Sequence, residues 1–197
     1  MKKLSEAILN SQKSAIRKLF ELLLKNSDGI SFGIGQPDFT SPDFVNNEII
    51  KALKEHKTQY APALGLPTLR RVVAQKFQNE NNMKWVETEN IMITNGGSQA
   101  LQLCYAVLSN PGDEMIMSSP NFLSYIYLAS YYHLKLVEVP RLENYAPDLE
   151  GIRQLITPKT KFIMINSPNN PTGFVFTKKQ MDELVQNNES ANLTSHP

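Results

Sequence analysis

The chain has one cysteine in 197 residues, Cys104, so no internal disulfide can form and a disulfide-stapled fold is excluded. A lone thiol inside the apolar run Ala100 to Leu108 reads as a small buried hydrophobe, not a reactive group. Histidine is scarce too. His56, His133 and His196 are scattered and fit no metal-ligand spacing. Neither charge sign dominates: the formal net charge is +1, and Lys and Arg are spread along the chain. Without a basic stripe, or aromatics interleaved with basic residues, no nucleic-acid partner is expected. No apolar run approaches the length of a membrane span, so no membrane role is expected either. Met1-Lys2-Lys3 resembles the start of a signal peptide, but Ser5, Glu6, Asn10, Ser11, Gln12 and Lys13 break the apolar stretch that should follow. The cytoplasm is the expected compartment.

What is present is an ordinary globular composition, 41% hydrophobic and 20% charged, in a chain long enough to bury a sizeable core. Residues 14–25 have the pattern of an amphipathic helix, with Ile16, Leu19, Phe20, Leu22, Leu23 and Leu24 between charged positions. Such a helix is expected to pack on its own protein or on a partner subunit, with a membrane surface as the lesser alternative. Residues 30–42 read as loop, and a helix is expected from Pro42 to about His56. Another, with proline in its first turn, is expected from Pro67 to Asn81.

After Thr88 the rhythm changes. Strands are expected at 91–94, 114–118, 134–139 and 162–165, and helices at 98–108, 121–132, 148–156 and 177–186. This alternation implies a mostly parallel sheet with helices on both faces. Ligands of such sheets bind at the carboxyl ends of the strands. Residues 187–197 are polar and aperiodic, and read as an unstructured tail.

Two loops carry chemistry. In Thr94-Asn-Gly-Gly-Ser-Gln-Ala100, glycines turn the chain from a strand into a helix. The N–H groups at the helix start and the Ser98 hydroxyl make an anion site. It is not a Walker motif, and a plain strand-to-helix turn is the other reading. Ser167-Pro-Asn-Asn-Pro-Thr-Gly173 follows the strand at 162–165. Its prolines stiffen the loop, and its asparagine amides suit a phenolic or ring oxygen of a cofactor. Taken alone, it is also an ordinary Pro/Gly loop.

Together and in this order, the two loops resemble the fold-type-I pyridoxal-phosphate enzymes, within them the class I/II (aspartate-aminotransferase-like) aminotransferases. Three further segments are similar to that family: Gly33-Ile-Gly-Gln-Pro-Asp-Phe39, Gln59-Tyr-Ala-Pro62 with Gly65-Leu-Pro-Thr-Leu-Arg70, and Ser119-Pro-Asn-Phe-Leu-Ser-Tyr125. The resemblance runs from about residue 14 to 186. It implies an incomplete three-layer α/β/α sheet of the large domain, mostly parallel, with an N-terminal arm. Residues 1–41 would be the arm and part of the small domain, and 42–186 the N-terminal portion of the large cofactor-binding domain.

The resemblance also implies roles. Gly97, Ser98 and Gln99 would hold the phosphate of pyridoxal 5'-phosphate, and Phe122 would stack on its ring. Asn170 would hydrogen-bond the ring's 3-oxygen. Tyr60 would reach the phosphate of the partner subunit's cofactor in a homodimer. Gly35 would lie near the substrate carboxylate. Taken singly, Phe122 and Tyr60 also read as plain core packing. No catalytic residue can be assigned, because the family's Schiff-base lysine has no counterpart: Lys178 and Lys179 stand at the start of a helix, the wrong place. The family's pyridinium-pairing aspartate and its carboxylate-binding arginine are also missing. The expectation is a truncated, inactive form of an enzyme that moves amino groups between an amino acid and a 2-oxo acid. Two alternatives stand: a non-catalytic partner of a full-length relative, and a pyridoxal-phosphate lyase of the same fold.

Overall fold

The computed structural model describes Gly35 and residues 37–190, with side chains as far as Gln186. The helix expected at 14–25 and the residues after 190 lie outside the described ones. The chain divides between Thr94 and Asn95 into two compact units, a boundary inside the 42–186 span.

In the first unit, α1 (Asp43–Lys54) has Asp43 in its first turn and Lys51 and Lys54 in its last, charges that complement the helix dipole. α2 (Pro67–Glu80) starts on a proline, whose missing N–H costs nothing in a first turn. Arg70 of α2 forks onto two carbonyls: Nε donates to Ile91 at 2.7 Å and an Nη to Thr88 at 2.8 Å. These bonds tie α2 to the short 3₁₀ turn Thr88–Asn90 and the segment after it. The tight turn before α2 depends on Gly65, whose φ is +94°. A Cβ there would stand 2.5 Å from Ile93 Cγ1.

Residues 91–94, expected as a strand, join no ladder. Ile91 is extended, but the backbone groups here find other partners. The Ile93 N–H donates to the Leu64 carbonyl at 3.0 Å, and the Ile91 carbonyl accepts from Arg70. A strand requires a neighbour, and among the described residues none lies beside this segment.

The second unit contains α3 (Gly96–Leu108), β1 (Glu114–Ser119), α4 (Leu123–Tyr131), β2 (Lys135–Pro140), α5 (Leu149–Leu155), β3 (Thr160–Met164) and α6 (Lys178–Ser190). The strands form one parallel sheet in the order β2-β1-β3, with Ile116 opposite Val137 on one side and Ile163 on the other. Alternation sorts the side chains by face. Met115, Met117, Leu136, Phe162 and Met164 pack with Tyr105 of α3 and with Tyr125 and Ala129 of α4. Ile116, Val137, Val139 and Ile163 pack with Leu149 and Ile152 of α5 and Leu184 of α6. The expected α/β/α layering is therefore present, with the central strand β1 buried on both faces.

Two further expectations need correction. Cys104 is exposed, not buried. α3 gives its inward face to Tyr105, and Leu103, Cys104 and Val107 point away from the sheet core. The backbone of α6 also runs on to Ser190, past the expected helix end at 186. Its start is a reciprocal cap: the Thr177 N–H donates to Gln180 Oε1 at 2.9 Å, and the Gln180 N–H to Thr177 Oγ1 at 3.2 Å.

At the amino edge of the sheet the Glu114 carboxylate accepts from Thr157 Oγ1 at 2.6 Å and Lys135 Nζ at 2.9 Å. These bonds hold its pKa below the ordinary value, the threonine contributing most. They also tie β1 to β2 and to the turn that leads into β3, at the edge opposite the loops of interest.

Candidate cofactor site

The sheet's connections define where a ligand can sit. α4 leaves β1 to one face and α6 leaves β3 to the other. Between these adjacent strands the connections therefore part at their carboxyl ends, which makes this the topological switch point, where open α/β sheets take ligands in a crevice. The loops that flank it are Ser119–Phe122 and Asn166–Gly173. α3 brings a third segment to the same edge. Its last turn leads through Asn110–Asp113 into the amino end of β1, and Tyr105 packs on the middle of that strand. A helix of 13 residues is about as long as the six-residue strand, since each rises roughly 20 Å. The start of α3 therefore lies level with the carboxyl ends.

At that start Gly96 has φ +75°, which lets the chain turn into the helix. The side chain of the N-cap residue Asn95 makes no cap hydrogen bond. Gln99 is engaged: its Oε1 accepts from the Asn95 N–H at 2.6 Å. Gly97 and Ser98 are exposed, and a Cβ at Gly97 would meet nothing within 4 Å.

Phe122 is half-buried on the α4 side. It packs against the Tyr105–Tyr125 cluster, its ring edge-on to Tyr125 at 5.7 Å. Asn121 orders this turn, with Nδ2 donating to the Ser118 carbonyl at 3.0 Å. Asn170 is exposed, and its N–H donates to Asn166 Oδ1 at 2.9 Å.

The neighbour of Asn170 joins the loops. Asn169 is 3% exposed. Its Nδ2 donates to Thr172 Oγ1 at 2.9 Å and reaches the Pro120 carbonyl at 3.4 Å. Its Oδ1 accepts from Arg141 at 2.8 Å. Arg141 follows β2, so loops from all three strands converge on one amide. Partial burial lowers the Arg141 pKa, although a guanidinium keeps its proton at any working pH. Sequence reasoning missed Arg141 and gave Asn169 no role of its own. The link spans 28 positions and leaves no local pattern.

Residues 27–194 match the sequence profile of the family described as aminotransferase class I and II. The chain belongs to this family. A probable aspartate aminotransferase of Methanocaldococcus jannaschii is 39% identical over 190 residues, covering 96% of this chain and 50% of the relative. The aspartate aminotransferase of Thermus thermophilus solved with maleate matches with a TM-score of 0.91 at 37% identity, over 98% of this chain and 52% of that one. The alanine aminotransferase of Pyrococcus furiosus gives a TM-score of 0.89 at 31% identity, over 97% and 50%. The chain spans about half the length of the curated relatives it matches.

Members of this aminotransferase family are pyridoxal-phosphate-dependent. The donor set at the crevice fits that cofactor. The exposed N–H groups of Gly97 and Ser98 in the first turn of a helix, with the Ser98 hydroxyl, suit a phosphate. A half-buried phenyl ring suits an aromatic ring, and a solvent-facing asparagine amide suits a phenolic oxygen. Gly35 and Tyr60 belong to the other unit, where both are exposed and a Cβ at Gly35 would meet nothing within 4 Å. Among the described residues no helix is long and apolar enough to cross a membrane, and no cluster could hold a metal ion.

Proposed function

We propose that this chain supplies the pyridoxal-phosphate-binding part of an aminotransferase that moves amino groups between an amino acid and a 2-oxo acid. Residues 1–41 act as arm and part of a small domain, and 42–186 as the N-terminal portion of the large domain. The observation that carries the reading is the convergence of the Ser119–Phe122 and Asn166–Gly173 loops on Asn169, at the switch point of a parallel sheet. The Gly97–Gln99 helix start and the Ser98 hydroxyl bind the phosphate. Phe122 covers one face of the ring, and Asn170 donates to its 3-oxygen. When bound, the cofactor supplies an electron sink for charge developing at the substrate's Cα. Gly35 leaves room for the substrate carboxylate, and Tyr60 reaches the partner subunit's cofactor phosphate in a cytoplasmic homodimer.

None of the three loops at the crevice contains a lysine. Lys178 is held by Asp182 at 2.7 Å, and Lys179 is exposed beside it at the start of α6. Among the described residues none is placed to move the substrate's Cα proton, so the reading is a chain that binds cofactor without turnover by itself.

The test is a pyridoxal-phosphate titration followed by visible absorbance, borohydride reduction and mass spectrometry. Reversible binding that reduction does not trap is expected, and Ser98→Ala and Asn170→Ala each weaken it about tenfold, the worth of one hydrogen bond to a charged group. Trapping on one defined lysine would sink the claim of no turnover. Binding that neither substitution changes would sink the site.

A second reading is a non-catalytic partner of a full-length relative. It is favoured by the side chains of Phe44, Ile49, Ile50 and Leu53 on α1, each at least half exposed, and by the fully exposed Tyr60. Co-purification of a longer aminotransferase chain with this one would support it.

A further inference from the structure

Asn169 uses all of its polar groups. Its N–H donates to the Phe174 carbonyl at 2.8 Å, and its carbonyl accepts from the Gly173 N–H at 2.7 Å. Its side chain holds Thr172 and the Pro120 carbonyl on one side and Arg141 on the other. The orientation of such an amide is a choice between two ends. A guanidinium can only donate, so it faces the oxygen, and Nδ2 must then point to Thr172 and Pro120. Arg141 therefore sets which way the amide faces.

Arg141 is itself held in place. A second Nη donates to the Tyr145 carbonyl at 3.0 Å, across a turn closed by the Ala146 carbonyl accepting from Leu142 at 3.1 Å. Its Nε is buried without a partner. A desolvated donor is a cost, and the fork is kept in spite of it. An open groove of about 540 Å³, lined by Ser119, Pro120, Glu138 and Tyr145 among others, runs beside the side chain. Packing alone therefore does not confine it.

We propose that Arg141 is a positioning residue: acting through Asn169, it locks the Asn166–Gly173 loop to the β1–α4 turn and so aims the Asn170 amide, without touching the cofactor. This rests on the reading of Asn170 given above. The Asn170 N–H is fixed by Asn166, and among the described residues no hydrogen bond orients its side chain, so its direction follows the backbone that Asn169 anchors.

Hydrogen exchange by mass spectrometry on the full chain, without cofactor, tests this. Arg141→Met is expected to speed exchange of the segment 166–174 roughly tenfold, the loss of one charged hydrogen bond, while β1 and β2 are unchanged. Arg141→Lys, which keeps one charged donor, restores part of the protection. Asn169→Ala reproduces the effect, and combining it with Arg141→Met adds nothing further. A parallel pyridoxal-phosphate titration separates the two claims. Asn170→Ala should weaken binding and leave exchange alone, and if it leaves binding unchanged the cofactor reading fails while the exchange data still judge Arg141. Wild-type exchange at 166–174 in a folded Arg141→Met chain overturns the proposal. Should that variant unfold, Arg141→Gln takes its place with the same two outcomes.

Discussion

Replacing Gly65 by alanine tests how the first unit closes its turn. The backbone there has φ +94°, where an L-residue is strained by about 1–2 kcal/mol. The added methyl would stand 2.5 Å from Ile93 Cγ1 and 2.6 Å from its Cβ. Carbon atoms prefer roughly 3.5–4.0 Å, so Ile93 or the turn must shift by about 1 Å. Overpacking of this kind costs about 1–3 kcal/mol. The smaller entropy of an unfolded alanine offsets roughly 0.4–1 kcal/mol of that. The expected loss is about 3 kcal/mol, a drop in urea midpoint of about 1 M or more. Trp85, the only tryptophan, lies in the same unit and reports the transition by fluorescence. Gly112 is the control: its φ is +91° and a Cβ there meets nothing within 4 Å. Gly112→Ala, followed by far-UV ellipticity, should cost only the backbone part, about 1 kcal/mol. A Gly65→Ala chain no less stable than Gly112→Ala would refute the argument from Ile93.

Tyr105→Phe removes a buried hydroxyl that lies 3.2 Å from the Tyr125 carbonyl and 3.0 Å from Met115 Sδ, a desolvated site that pushes the phenol pKa up. A loss of about 1 kcal/mol in urea unfolding is expected, and no loss would mean the hydroxyl is unbonded. Glu114 has a folded pKa below its ordinary 4.5, so its contribution is present above that value and lost as pH falls through the folded one. The melting-temperature gap between wild type and Glu114→Gln should therefore hold at neutral pH and narrow below about pH 4.5; a gap constant down to pH 3 would contradict the linkage. Cys104 should react with a thiol reagent without denaturant, and a thiol titratable only after unfolding would place it inside the protein.

Elements with a local cause were legible in the sequence. Pro67 announces the first turn of α2, and the short apolar run Met115-Ile116-Met117 announces a strand. The glycine loop was legible as the start of a helix, and Asn-Asn-Pro-Thr-Gly as a loop that follows a strand. Features that depend on two distant partners were not. Residues 91–94 have the composition of a strand, but pairing is a relation with a neighbour. Arg70 appeared only as part of a motif, and its fork onto carbonyls 18 and 21 positions away emerges from the fold. The same holds for Arg141 and Asn169. Cys104 was misread because an apolar run in a helix does not say which face turns inward.

The two outer strands of the sheet differ in what they offer a newcomer. β2 carries exposed Lys135 and Glu138 and ends on Pro140, which has no N–H to give. Charges and proline are how an outermost strand refuses another chain. β3 carries Lys161 near its start, but beyond it runs Phe162-Ile-Met-Ile165, half-buried, and among the described residues no strand pairs with its far side. The sheet is thus polar in its capacity to grow: closed to recruitment past β2, receptive past β3. Any added strand, from a second molecule or from another stretch of polypeptide, has one direction in which to join.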